Sequence, residues 1–407
     1  MKFLHKILEK QRPMFEKGGK LEKLYYLFEA GETFMFSPAS TAAKKGVQIR
    51  DAIDLKRMMM TVVIAMVPCL VWGIFNVGYQ HNIATGQATT FFSIDNLLFG
   101  ARWVLPIVLV SYAAGGLLEA LFAVVRKHPI NEGFLVTGML IPLIVPPTIP
   151  LWQVALATIF GVVVGKEIFG GTGMNVLNVA MTARAFLYFA YPLQISGEVW
   201  TQMAGDTAVN GFSGATALAV ANNVSIAGTQ TVVEGLNQAN AMLSAPFSSG
   251  SFFSFDNMLI GGIPGSIGET STLMALIGGL ILIATGVGSW KIIVSVFAGA
   301  FAMGTIFNLA GANEFMALPA HYHLVLGGLA FGAVFMATDP VSAAQTETGK
   351  WIYGALIGML TVLIRVLNPA YPEGIMLAVL FMNVFAPLID FYVVQANKKR
   401  RMARATV

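Results

Sequence analysis

Apolar residues in this chain run continuously instead of marking one face of short helices. Runs of about 17 to 25 apolar residues, the length that crosses a hydrocarbon core about 30 Å thick, are expected at about ten places. They fall at roughly 57–78, 102–125, 134–149, 151–168, 178–191, 271–288, 290–309, 321–338, 350–367 and 372–393. The pattern predicts an all-α polytopic membrane protein. The fifth run is short and contains Arg184, which predicts an element that is tilted, broken or packed inside the bundle. Proline-rich breaks recur as Pro146-Pro147-Thr148-Ile149-Pro150 and Pro369-Ala370-Tyr371-Pro372. A split near residue 230 leaves about five runs on each side, so the two halves would be inverted in topology, as in many proteins that move ions. The polar stretches divide the chain into an N-terminal arm (1–56), a first half (57–191), a long loop (192–270), a second half (271–393) and a tail (394–407).

Charge orients these segments. Basic residues crowd the arm (Lys2, Lys6, Lys10, Arg12 and others) and the tail (Lys398, Lys399, Arg400, Arg401, Arg404), whereas 192–270 contains no Lys or Arg. An even number of spans with both termini cytoplasmic and 192–270 outside satisfies the positive-inside rule. Within the arm, Leu21, Leu24, Tyr25, Phe28 and Phe36 recur near helical spacing among Lys and Glu, as in an amphipathic helix at the cytoplasmic interface. A helix packed on a partner protein would show the same period. The arm is long and charged and leads into a full-length span, so no cleavable signal is expected.

Composition narrows the class. Hydrophobic residues make up 56% and charged residues 11%, against about 45–50% and about 25% in soluble domains, which excludes a soluble globule. The net charge of +4 lies in the termini, and nothing in the pattern calls for nucleic acid. The single cysteine, Cys69, sits in an apolar run, so an internal disulfide is impossible and an iron–sulfur cluster lacks ligands.

Several residues could carry chemistry. The loop segment Asn210-Gly211-Phe212-Ser213-Gly214-Ala215-Thr216 surrounds a hydroxyl with small residues that let a modifying enzyme or a phosphate approach, although its composition is also that of a surface turn. Gly170-Gly171-Thr172-Gly173 followed by Asn175 and Asn178 would admit backbone to a flat ring and place two carboxamides on one helical face. A helix C-cap and turn has the same look, and no strand surrounds it to make a dinucleotide fingerprint. Glu119, Asp339 and Asp390 are carboxylates within or at the inner ends of spans, suited to line a cation path. Pairing with basic groups of a neighbouring protein, or snorkelling, would equally account for them, Asp390 near Lys398 above all. Gly115 and Gly116 thin the second span one turn before Glu119, and with Phe134 could form a slot for a flat headgroup or simply allow close packing. Arg184 could offset the charge of a reduced flavin or a phosphate, or cap a broken helix. His321 and His323 read as a solvated pair at an outer helix end, while His5, His81 and His128 fall in arms or loops, so a bis-histidine haem is disfavoured.

Taken together the motifs resemble the B subunit of the sodium-translocating NADH:quinone oxidoreductase. The resemblance rests on Ser213-Gly214-Ala215-Thr216, Lys17-Gly18-Gly19-Lys20, Asp54-Leu55-Lys56-Arg57, Arg126-Lys127-His128, Asn131-Glu132-Gly133-Phe134, Ile144-Val145-Pro146-Pro147-Thr148, Phe169-Gly170-Gly171-Thr172-Gly173, Ile263-Pro264-Gly265-Ser266-Ile267-Gly268-Glu269, Met336-Ala337-Thr338-Asp339-Pro340-Val341 and Asn368-Pro369-Ala370-Tyr371-Pro372-Glu373-Gly374. It implies FMN bound through a phosphoester to Thr216, attached by a separate flavin transferase, with Asn210 standing where the transferase pattern usually has Asp. It also implies noncovalent riboflavin near 170–178, quinone as substrate near Gly115 and Gly116, Na⁺ as the transported ion past the acidic positions, and further subunits in a bacterial inner membrane. NADH oxidation would belong to another subunit. Two alternatives remain open at this point. One is the homologous D subunit of the ion-translocating ferredoxin:NAD oxidoreductase, which generally starts closer to its first helix. The other is a cofactor-free secondary transporter or channel.

Overall fold

The amphipathic arm forms two short helices, α1 (Lys2–Phe15) and α2 (Tyr25–Met35), folded back on each other with Phe15 and Phe28 stacked at 4.5 Å. In this computed structural model, which describes residues 2–16, 19–35, 55–87, 90–127, 130, 133–203, 205–243, 245–368 and 371–405, α2 packs on a long membrane helix instead of lying alone. Lys17-Gly18, Phe36, Asp54, His128, Asn131-Glu132 and Pro369-Ala370 of the sequence motifs lie outside the described residues.

Every regular element among the described residues is helical. After α3 (Leu55–Ala84) and α4 (Ile94–Arg126) come α5 (Gly133–Leu143), α6 (Leu151–Gly165, continued by a 3₁₀ turn to Phe169) and α7 (Val179–Ala190). The long loop contains α8 (Ala217–Ala227), α9 (Val232–Gln238) and α10 (Phe255–Ile260). The second half holds α11 (Thr272–Ala284), α12 (Trp290–Ala310), α13 (Tyr322–Val325), α14 (Leu329–Phe331, passing into a π-helical turn over Gly332–Met336), α15 (Glu347–Leu367) and α16 (Ile375–Ala405).

Six of these helices are long and apolar enough to cross a membrane: α3, α4, α6 with its 3₁₀ extension, α12, α15 and α16. The runs expected at 134–149, 178–191 and 271–288 are instead short helices of 11, 12 and 13 residues, and the run at 321–338 is broken at Leu326-Gly327-Gly328. Proline explains the first of these, because Pro146 and Pro147 cannot donate to a continuing helix. Backbone freed at membrane depth must find partners inside the protein. Gly268 N donates to Leu143 O at 2.7 Å and Ile267 N to Val145 O at 3.2 Å, so the break after α5 bonds to the irregular segment before α11. Asn76 of α3 adds a donor to Ile263 O at 2.9 Å.

These contacts also set direction. The loop residues Val209 and Gln202 bond to the end of α3, through Ala84 O at 2.8 Å and His81 Nδ1 at 2.7 Å. His81, expected in a loop, lies in the last turn of α3 with its ring stacked on Phe99 at 3.9 Å. At the opposite end of the bundle Lys291 of α12 pairs with Glu347 of α15, and Asp390 of α16 bonds to the start of α15. In α9 a capping box joins Thr231 and Glu234, and the Thr231 donors hold the Glu234 carboxyl below its ordinary range.

Candidate functional site

Thr216 stands at the N-cap of α8, where its Oγ1 accepts from Ala219 N at 3.2 Å. The residues before it are fixed by two bonds to Asn240: Ser213 N donates to Asn240 Oδ1 at 2.8 Å, and Asn240 Nδ2 donates to Ser213 O at 3.0 Å. Ser213 Oγ donates to Glu198 at 2.9 Å, and Gly214 packs so closely on Glu198 O that a Cβ would come within 2.6 Å. Gly214 and Ala215 are buried and Thr216 is half-buried. The segment therefore begins as an exposed turn at Asn210-Gly211, where Phe212 N donates to Val209 O at 3.2 Å and Gly211 has φ 87°, and continues as an ordered entry to α8.

Thr216 opens on a cavity of about 250 Å³ that reaches down to Arg184, Glu269, Tyr371 and Glu373. Arg184 Nη1 donates to both carboxylate oxygens of Glu269, at 2.9 and 3.0 Å, and both side chains are buried. Among the described residues Arg184 thus bonds to Glu269 and not to the carbonyls of α7. Glu373 accepts from Gly328 N at 2.7 Å at the break between α13 and α14. Arg365, wholly buried, donates to the carbonyls of His323, Leu326 and Glu373 at 2.7, 2.7 and 3.0 Å. This guanidinium satisfies the carbonyls that the helix break frees. His323 is also wholly buried, with neither ring nitrogen bonded among the described residues, which corrects the expectation of a solvated pair; His321 alone is exposed.

A phosphoester on Thr216 fits this setting. The first N–H groups of an 11-residue helix point to the position of its oxygen, which favours an anion there, and the cavity has walls for a ring system.

A second cavity, of about 90 Å³, lies toward the ends of the bundle where α3 begins and α11 ends, lined by Met58, Met59, Lys166, Thr172, Asn175, Asn178 and Asp339 among others. Gly170, Gly171 and Gly173 have φ of 119°, 104° and 89°, so the turn needs glycine at each. Asn175 Nδ2 donates to Leu177 O at 2.9 Å, while Asn178 Oδ1 caps α7 through Met181 N at 3.1 Å and its Nδ2 donates to Asp339 at 3.4 Å. In this arrangement the residues do not accommodate a flavin ring, since the space is small and the amide donors of both carboxamides are taken.

The expected carboxylates have three different environments. Glu119 is buried and paired with Lys166, which also donates to Thr172 at 3.1 Å. Arg126 and Glu167 extend that cluster at 3.0 Å. Half-buried Asp390 accepts from Gln345 N at 2.6 Å, from Thr346 N at 3.0 Å and from Thr346 Oγ1 at 2.5 Å, and its expected neighbour Lys398 does not pair with it among the described residues. Asp339 accepts from Ser342 Oγ at 2.8 Å, Val341 N at 3.1 Å and Asn178, with no basic partner among the described residues. The glycine pair splits as well. A Cβ on Gly115 would overlap the Phe134 ring, which fills that notch, whereas one on Gly116 would meet nothing within 4 Å.

Sequence reasoning did not single out Glu269, Tyr371, Glu373, Lys166 or Arg365 as a site. The Pro-rich break before α16 and the Gly327-Gly328 pair were the available signals.

Residues 42–399 match the model of the NQR2, RnfD, RnfE family. The chain is 49% identical to the B subunit of the Na(+)-translocating NADH-quinone reductase of Stutzerimonas stutzeri (strain A1501), over 98% of each chain. It is 49% identical to the protein of that name from Chromohalobacter salexigens, over 98% of this chain and 95% of the other. The corresponding values for the Klebsiella pneumoniae protein of that name are 48%, 98% and 99%.

Proposed function

The chain belongs to the NQR2, RnfD, RnfE family, and from that premise we propose that it is the B subunit of a Na⁺-translocating NADH:quinone reductase of a bacterial inner membrane. The observation that carries the reading is Thr216, a hydroxyl at a helix N-terminus that opens on a walled cavity. Bound there, FMN supplies electron transfer in steps that protein side chains cannot perform. Thr216 supplies the ester oxygen, α8 faces its backbone donors to the phosphate, and the Ser213–Asn240 clamp holds the segment in place for a flavin transferase. Gly214, buried against Glu198 O, lets the segment before Thr216 pack where a Cβ would not fit.

Both termini are assigned to the cytoplasm and 192–270 to the outside, from the distribution of Lys and Arg. Ten elements then cross or enter the bilayer in two inverted sets of five, four of them short or broken. Quinone is assigned to the cytoplasmic side of α4 beside Gly116, near α2 and Phe134, and the Na⁺ path to the acidic positions, with Asp339 as the carboxylate whose charge no basic side chain balances among the described residues. The riboflavin that the resemblance implies near 170–178 finds no matching space beside those residues in this arrangement, and no step is derived through it. NADH oxidation falls to another subunit of the complex. The relatives' shared name favours this reading over the ferredoxin-linked D subunit and over a cofactor-free transporter.

Mass spectrometry of the chymotryptic peptide containing residue 216, from cells that possess the transferase, should show the mass of FMN on Thr216. A peptide found entirely unmodified sinks the assignment.

A further inference from the structure

Among the described residues that line the cavity below Thr216, the Tyr371 hydroxyl is buried without a hydrogen-bond partner. Tyr371 is 6% exposed, its ring meets Tyr188 edge to face at 4.4 Å, and its hydroxyl has no hydrogen-bond partner among the described residues. A buried hydroxyl left without a partner costs about 1–3 kcal/mol. Around it the charged groups are matched: Arg184 is held by Glu269, Arg365 by three carbonyls, and Glu373 takes the Gly328 amide. Tyr371 therefore stands as a donor in a wall whose charges already balance.

The cavity offers both apolar walls and polar groups to an occupant. Trp200, Ile195, Leu218 and Tyr188 form much of its side, with Thr216 at its mouth and the Arg184–Glu269 pair and Tyr371 deeper in. Its volume of about 250 Å³ is close to the lower end of the roughly 300–1,000 Å³ found for small-molecule sites. This surpasses what an anion on α8 alone would require.

We infer that the ring system of a flavin esterified to Thr216 docks inward, in this cavity, and that Tyr371 is a positioning residue that donates a hydrogen bond to its heteroatom edge. The inference rests on the reading of Thr216 as the point of FMN attachment. It adds that the flavin is sheltered by the bundle and not displayed on the outer surface. A donor to the ring favours the electron-rich reduced form, because added electron density strengthens the acceptor.

The test uses the assembled complex purified from cells with the transferase, as wild type, Tyr371→Phe and Thr216→Ala. Peptide mass spectrometry first establishes FMN on residue 216 in the wild type and the Phe variant. The difference between wild-type and Thr216→Ala redox titrations then isolates the signal of that flavin. Removing the Tyr371 hydroxyl should destabilise the reduced form by roughly tenfold, which lowers the midpoint by about 30 mV for a two-electron couple. In the same samples, iodide added to the outer side of proteoliposomes should quench this flavin far less than free FMN, and equally weakly in the Phe variant. An unmodified wild-type peptide overturns both readings. A modified peptide with an unmoved midpoint, or with quenching equal to that of free FMN, overturns inward docking on Tyr371 and leaves the attachment at Thr216 standing.

Discussion

Asp339, Glu119 and Asp390 have the same chemistry and unequal surroundings, and the surroundings decide what each can do. A carboxylate within a span is disfavoured by about 2.5–3.5 kcal/mol on insertion scales, so each needs compensation. Lys166 provides it for Glu119, and three donors at the start of α15 provide hydrogen bonds for Asp390. Asp339 has hydroxyl and amide donors but no balancing charge among the described residues. Quinone reduction titrated with NaCl should therefore separate them. Asp339→Asn is expected to raise the half-saturating Na⁺ concentration by about tenfold, or ~1.4 kcal/mol. Glu119→Gln and Asp390→Asn should lower the yield or thermal stability of the complex and leave half-saturation within about twofold. Unchanged half-saturation in assembled Asp339→Asn removes Asp339 from the path. The sequence made these carboxylates visible because charge in an apolar run is conspicuous. It could not rank them, because Lys166 lies 47 residues from Glu119 and only the packing of α4 on α6 brings the two together.

At the scale of elements, apolar run length located the helices, while the interruptions depended on small residues that barely change hydropathy. The run at 321–338 is uniformly apolar apart from its ends, and its Gly327-Gly328 pair is where the helix opens and its carbonyls turn to Arg365. The helix α4 shows the opposite case, a continuous element with two adjacent glycines that differ by which face each occupies. Gly115 faces Phe134 and Gly116 faces open space, a distinction that the 100° turn between neighbours creates and sequence spacing alone leaves unassigned. Gly115→Val should displace Phe134 and lower assembly, an overpacking effect of about 1–3 kcal/mol. Gly116→Val should assemble normally and raise the quinone KM by about tenfold, ~1.4 kcal/mol, if its open side is the headgroup slot. Measured side by side, a normal KM and unaltered inhibitor sensitivity in the assembled Gly116→Val complex would move the quinone site elsewhere.

For the whole molecule, the junction between the halves combines an apolar core shared by both, with Met66, Leu143 and Met181 packed among Phe335 and Met376, with a polar seam. Irregular segments meet there, Leu143 and Val145 taking the amides of Gly268 and Ile267, Asn76 reaching Ile263, and Asn178 reaching Asp339. The Arg184–Glu269 pair is the one ion pair among these contacts, joining α7 to the segment before α11 across 85 residues of sequence. Hydropathy gave the number of runs in each half but could not show this seam, since its bonds join residues whose local patterns carry no mark of each other. Breaking a buried pair by removing one partner leaves an uncompensated charge and typically costs about 3–5 kcal/mol, whereas replacing both with apolar residues of similar volume is often neutral. Arg184→Met and Glu269→Leu should accordingly each lower the unfolding temperature of the detergent-solubilised complex, while the double variant recovers most of the loss. A double-mutant cycle on thermal unfolding measures this directly: strictly additive losses would mean that the pair does not hold the two halves together, and that the hydrogen bonds between the irregular segments suffice.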